Sequence, residues 1–257
     1  MKIIVLVKEV PDTYGERVID VETGLADRAA SESVIDEIGE RAIEFAVSYA
    51  EAHDGTEVIL LAVGPASVPI TLRKGLAMGA TRAIHVLDDA LQGADLTLTA
   101  AVLASAIRTA GFDLVIAGDL STDGTGGVIP AMVAELLGVA HATNLSSVEI
   151  VDGEVRGERS SDAGTVQLVA VFPAVVSITD RLPDPRFPNF KGILAAKKKA
   201  LDTVSLSDLG VDAAAEVPRS IVLTVTKKPE RGAGIKILDD GNGGTAIAEF
   251  LTENRLV

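Results

Sequence analysis

The chain has 257 residues, no cysteine, 47% hydrophobic and 3% aromatic residues, and 23 basic against 37 acidic side chains. A net charge of −14 disfavours nucleic acid and anionic membrane as partners, because a polyanion binder needs a positive footprint. The lack of cysteine excludes disulfides, thiolate metal sites and a cysteine nucleophile, and the aliphatic composition suits buried parallel strands covered by helices.

Lys2 to Val7 reads as a buried strand, ended by the turn signal VPDT at Val10 to Thr13. The N-terminal apolar run is too short for a signal peptide and lacks a small-residue cleavage site, so the expected location is cytoplasmic. A polar stretch runs to Glu32. From Val34 to Ala52, Ile35, Ile38, Ala42, Phe45, Ala46 and Tyr49 fall at helical spacing. TEVILLAVGP is a second strand stopped by Gly64-Pro65, and VPITLRKGLAMGA is a helix ending near Gly79. RAIHVLDD is a third strand, and Asp95 caps a helix running to Thr109. FDLVIAG is a fourth strand, followed by a Gly-rich loop and a helix from Gly126 to Leu137. This alternation predicts a doubly wound, mainly parallel α/β sheet with helices on both faces.

After Thr143 the pattern changes. Asp152-Gly153 separates two alternating segments, a hairpin signal, and TVQLVAVFPAVVSITD continues as strand, so an antiparallel edge is expected to join the parallel core. The apolar run LVAVFPAVVSI is broken by Pro173 and too short to span a bilayer; no membrane insertion is expected. RLPDPRFPNFKG reads as an ordered loop, ILAAKKKAL as a short helix or turn, and SIVLTVTKK as one more strand. The Gly-rich tail holds one amphipathic helix, Thr245 to Asn254, whose Ile247, Phe250 and Leu251 need a surface to bury against.

The candidate chemistry centres on two places. In doubly wound sheets, ligands bind at the carboxyl ends of the strands where the winding reverses. If the first strand is central and the fourth lies beside it, the loops after Val7 and Gly118 flank one crevice. Glycines there allow close backbone approach, and the amides near Gly126, Gly127 and Val128 carry the positive helix end. Asp123 would cap that helix or accept from a ribose, and Lys8 would face a phosphate or carboxylate. The alternative is a plain strand–helix connection, since a Gly-rich loop is a weak motif. The second place is the proline-stiffened loop, where Leu182, Phe187 and Phe190 form either a docking element or part of the domain's own packing. Lys197, Lys198 and Lys199 are a local basic run on an acidic chain, by itself an ordinary solvated face. No nucleophile elbow, Walker A or zinc-protease motif occurs, no metal site is expected, and His53, His85 and His141 read as surface or strand-end residues.

Residues 172 to 212, FPAVVSITDRLPDPRFPNFKGILAAKKKALDTVSLSDLGVD, closely resemble the signature region of electron transfer flavoprotein β subunits. The resemblance extends through VKEVPDT, VIDEIGERAIEFA, RKGLAMGA with AIHV, and GERSSDAG, and the loop STDGTGGVIPA looks most like bacterial, particularly actinobacterial, members. It implies an adenine nucleotide hydrolase or universal stress protein type of fold, with the antiparallel extension and an extended C-terminal arm. It also implies an electron-carrier subunit rather than an enzyme. The α subunit would hold most of the FAD, acyl-CoA or related dehydrogenases would donate, and a membrane quinone oxidoreductase would accept, as in fatty acid β-oxidation. Residues 1–228 would be the nucleotide-binding domain and 229–257 the arm onto the α subunit.

Carried over by residue, the resemblance places AMP against Leu6, Val7, Lys8, Ser33 at the start of the first helix, and Val63. The phosphate falls on Asp123, Gly124, Thr125, Gly126, Gly127, Val128 and Ile129. Where many members have Asn, this chain has Ser33, and its loop is poorer in polar side chains, so phosphate binding would rest mainly on backbone amides. The loop lacks the Asp-Gly-Asp-Thr pattern of electron-bifurcating relatives, so a second FAD is not expected. The partner-recognition loop spans 181–199, with Phe190 at the anchor position and Arg186, Phe187, Ile193, Lys197, Lys198 and Lys199 as further contacts. The competing expectation is a stress-protein-like nucleotide-binding homodimer.

Overall fold

The computed structural model describes residues 1–15, 17–215, 218–227, 229–230, 232–234 and 236–257. Its first half runs β1 (Lys2–Leu6), β2 (Glu9–Pro11), β3 (Ser33–Ile35), α1 (Glu37–Ala52), β4 (Glu57–Val63), α2 (Val68–Met78), β5 (Arg82–Val86), α3 (Leu96–Ala110), β6 (Leu114–Gly118) and α4 (Ile129–Leu137). Then follow β7 (Ala140–Leu145), β8 (Ser147–Val151), β9 (Glu154–Ser161), β10 (Gly164–Val171), β11 (Ala174–Ile178), α5 (Phe190–Ala196), β12 (Leu201–Val204) and α6 (Gly243–Glu253).

The main sheet has the order β12-β5-β4-β1-β6-β11-β7, and every pairing in it is parallel. β1 is central: Ile4 lies opposite Ile59 of β4 and Val115 of β6. The chain winds outward from β1 through β4 to β5, then α3 returns it to β6 on the other side. The reversal therefore falls between β1 and β6, as the sequence predicts. Alternation along β1 builds both layers of core. Ile3, Val5 and Val7 pack with α1 and α2 residues such as Ile43, Ala46 and Leu72, whereas Ile4 and Leu6 pack with Leu103, Ile107 and Val133 of α3 and α4. Asp95 caps α3 by accepting from Leu98 N–H, and Gly79 ends α2 with φ +142°, a region L side chains avoid.

The antiparallel extension is present as a separate three-stranded sheet, β10-β9-β8, rather than as an edge of the main one. Both flanking strands, β7 and β11, are parallel members of the main sheet. Leu145, Val155 and Ala170 tie the small sheet into the α1/α2 layer of core. Other expectations shift. Val34 and Ile35 belong to β3, paired with β2, and α1 begins only after Asp36, whose carboxylate accepts from Ile38 N–H. The helix after the Gly-rich loop starts at Ile129, because Gly127 (φ +65°) and Thr125 (φ +50°) hold the preceding residues out of helix. The strand expected at SIVLTVTKK is absent from its described residues, and Lys228 lies outside them; the extra strand is β12 instead, beside β5. Of its two readings, surface or strand-end, His85 takes the second: it stands next to the end of β5, fully buried, with Nε2 2.9 Å from Gly64 O. Among the described residues no helix is long and apolar enough to cross a membrane.

Two units divide the chain, Met1–Thr224 and Val225–Val257. In the second, Asp239 Oδ1 accepts from Gly241 and Gly243 N–H at 2.9 and 3.0 Å, a turn that leads into α6. Ile247, Phe250 and Leu251 fall on one stripe of that helix.

Candidate functional site

β1 and β6 end side by side at the switch point of the main sheet, the place where a doubly wound sheet leaves a crevice. Leu6 and Val7, both buried, end and follow β1, Val63 ends the neighbouring β4, and the loop 119–128 follows β6. At Gly118 a Cβ would lie 3.1 Å from Ile38 Cγ2, a tight contact, so the end of β6 passes close against α1.

Three side chains fasten the loop. Lys8 Nζ donates to Asp123 Oδ1 at 2.7 Å and to Ser121 Oγ at 3.1 Å, tying the loop to the end of β1. Arg28 Nη2 stands 3.7 Å from the other Asp123 oxygen. Asp36, 3% exposed, uses one oxygen for the α1 cap and the other for Thr122 N–H and Oγ1–H at 2.6 and 2.8 Å. Burial pushes the Asp123 carboxyl up, but Lys8, Ser121 and Gly124 N–H outweigh it and hold the group below its ordinary value. The half-buried Asp119, at the end of β6, is instead raised, because burial outweighs its hydrogen bonds to Leu120 N–H and Asn144.

The start of α4 is bare. Val128 occupies the cap position without a side-chain hydrogen bond, Pro130 supplies no N–H, and the first helical bond runs from Met132 N–H to Val128 O. Gly124, Gly126 and Gly127 leave the loop backbone without Cβ cover. Lys8 and Arg28, set against Asp123 and the hydrogen-bonded Asp36, together with an uncapped helix start, are features suited to an anion.

The second constellation is the Pro-rich loop with α5. Leu182 is buried, whereas Phe187 and Phe190 are 96% and 75% exposed; the loop packs through Leu182 and presents its two aromatics. Arg186 latches it onto α1, donating to Glu44 Oε2 at 2.8 Å and to Glu51 Oε1 at 2.6 Å. The Glu44 carboxyl, pushed up by burial, is pulled below its ordinary value by the Arg186 hydrogen bonds and charge. α2 and α5 cap each other: Arg73 Nη1 donates to Ala196 O and Lys199 O, and Lys199 Nζ to Leu76 O and Ala80 O at 2.9 and 2.6 Å. Partial burial lowers the Lys199 ammonium from its usual range.

The Electron transfer flavoprotein domain family matches residues 23–209. The chain is 44% identical over 99% of its length, and 99% of theirs, to the "Electron transfer flavoprotein subunit beta" of Mycobacterium leprae (strain TN) and of Mycobacterium tuberculosis (strain ATCC 25618 / H37Rv). To the protein of the same name from Bacillus subtilis (strain 168) it is 31% identical over 91% of its length and 90% of that protein.

The chain belongs to the electron transfer flavoprotein β-subunit family.

Within that family frame, the fold brings Leu6, Val7, Lys8, Val63 and residues 123–129 of this electron transfer flavoprotein β chain to one end of the sheet. Ser33 is not at the first helix start. It pairs with Pro11 in the β2–β3 ribbon, three residues before the cap, because Asp36 rather than Ser33 satisfies the α1 amides. Asp123 does not cap α4, since its carboxylate is committed to Lys8. Phe187, Phe190, Ile193, Lys197 and Lys198 are exposed, whereas Arg186 and Lys199 turn to their own protein as latch and helix cap. Sequence reasoning missed Asp36, Arg28 and Glu9. Glu9, 5% exposed, accepts from Ser67 Oγ at 2.6 Å and Thr71 Oγ1 at 2.5 Å, pinning the strand exit to α2. Asp36 carried a readable signal, an aspartate directly before a helical run; Arg28 and Glu9 carried none.

Proposed function

We propose that this chain pairs with a flavin-bearing α subunit, completes the environment of the FAD held mainly there, and docks acyl-CoA-type dehydrogenases. Electrons would then pass through the flavin toward a quinone oxidoreductase. FAD supplies the redox chemistry; the chain's own residues bind, position and dock, with no catalytic constellation of their own. The observation that carries this reading is the 44% identity over 99% of the chain, a match long enough to include the strand-end loop and the Pro-rich loop.

AMP belongs in the crevice, with a structural role. The residues present fit its phosphate: the amides of Gly126 to Val128 lead into an α4 start that has no side-chain cap, glycines leave the backbone open, and Lys8 and Arg28 add positive charge. Asp123 is the opposing charge, and its pairing with Lys8 keeps it from acting as a lone anion beside the phosphate. The aromatics of the Pro-rich loop support docking, with Phe190 as the anchor and Phe187, Ile193, Lys197 and Lys198 around it. Residues 229–257, with the apolar stripe of α6, form the arm that crosses onto the α subunit.

The test is a purified heterodimer mixed with an acyl-CoA dehydrogenase reduced by its acyl-CoA. Bleaching of the bound flavin is expected, and acid extraction of the same preparation should release AMP stoichiometrically. A flavin that stays oxidised would remove dehydrogenases from the account; an extract free of nucleotide would remove AMP.

A further inference from the structure

Beside the docking loop lies a groove that the anchor residue does not account for. It runs between α2, residues 184–188 and α5 and encloses about 910 Å³, the size of a ligand cleft. We propose that this groove receives an apolar side chain projecting from a carboxylate-rich surface of the electron-donating dehydrogenase, so that docking is reciprocal: Phe190 enters the partner, and the partner enters the groove. The proposal rests on the docking reading given above.

The apolar wall is made by Ile70, Phe187 and Ile193, with Ala77 and Met78 beneath. Ile70 is 72% exposed and Phe187 96%. Large apolar groups left open in one concave patch mark an interaction site more than a core. The walls are also fixed in advance. Arg186 latches one side to α1, the reciprocal caps of Arg73 and Lys199 hold α5 to α2, and Gly192 lets α5 approach Ala77 O more closely than any Cβ would permit. A groove whose backbone walls are held in advance binds with a smaller ordering cost.

Charge selects the occupant. Asp184 at the rim is paired with Arg41 at 2.7 Å, and Arg186 is occupied by two glutamates. Glu40, whose carboxyl burial raises with Lys74 opposing, and Asp184 are the carboxylates of the lining, set against Arg73, Lys74, Arg186 and Lys197. Lys191 and Lys198 stand beside them on and after α5. A cationic rim on a chain of net charge −14 complements carboxylates across an interface. Position selects it too: Phe187 and Ile193 adjoin Phe190, so a dehydrogenase seated on the anchor covers the groove.

The test uses the flavin heterodimer carrying Ile70→Glu, assayed as acceptor for a purified acyl-CoA dehydrogenase reduced with its acyl-CoA. Ile70 stands in the first turn of α2, where a carboxylate is favoured by the helix dipole, so the variant folds. A KM at least about tenfold higher, with kcat and flavin spectrum unchanged, is expected. Lys74→Glu with Lys197→Glu should also raise KM at low salt, with the difference shrinking as salt is added. A KM within about twofold of the parent for Ile70→Glu, while Phe190→Ala raises it, overturns the proposal and leaves the docking reading standing. A heterodimer that self-associates until Ile70→Glu disperses it, with KM unmoved, gives the groove to a second copy and also overturns it. A parent heterodimer that the dehydrogenase never reduces overturns the docking reading itself, before any variant is made.

Discussion

At the scale of single residues, Lys8 decides how the crevice loop is held. Its ammonium joins the end of β1 to Asp123 and Ser121, and it places a positive charge beside the loop that leads into α4. Lys8→Met removes both the tether and the charge. AMP affinity of the heterodimer should fall about tenfold or more, the scale of one charge-assisted hydrogen bond, as read by titration of nucleotide-stripped protein. Asp123→Asn removes the opposing charge while an amide oxygen still accepts from Lys8, so affinity should hold or rise. Unchanged binding in Lys8→Met would mean that the amides act alone. Part of this was legible: a lysine leaving the first strand and glycines after the fourth pointed to strand ends that the fold brings side by side. Of the two roles open to Asp123, the cap falls: a short acidic residue before a helix reads as one, and only the fold shows that a lysine distant in sequence reaches it first.

At the scale of elements, the Pro-rich loop is held by a latch whose strength depends on pH. The Glu44 and Glu51 carboxyls are held below their ordinary values by Arg186, against the opposing effect of burial, which is the larger single influence at Glu44. A carboxyl lowered on folding contributes stability that is full above its unfolded value, near 4.3, and is lost as pH falls through the folded value. Arg186→Met should therefore lower Tm at pH 7, and the gap to the parent should close as pH drops below about 4. A gap independent of pH would mean that Arg186 acts through packing alone. Gly192→Ala addresses the same element from the other side. Its Cβ would collide with the Ala77 carbonyl, so α5 must shift, at a cost of about 1–3 kcal/mol readable by denaturant unfolding. The four strand–helix units were legible because each carries several turns of matched periodicity. β12 was not: its four residues follow a lysine run, show no alternation that distinguishes them from loop, and become strand only because β5 offers an open edge. β2 and β3 escaped for the same reason, at three residues each.

For the whole molecule, the first unit carries its own two-layer core around the parallel sheet, whereas among the described residues of the second the regular structure is one eleven-residue helix, too short to be stable alone in water. Its apolar stripe is accounted for if the arm folds against the α subunit. Ending the chain after Thr224 should leave the first unit's cooperative unfolding largely intact and weaken heterodimer formation. Equal affinity for the α subunit with and without the arm would contradict that role. The central claim is tested most directly by coexpressing the full chain with an electron transfer flavoprotein α subunit and measuring the mass and the absorbance of what co-purifies. The account predicts an equimolar yellow complex carrying FAD; a colourless chain that purifies alone or as its own dimer would contradict it.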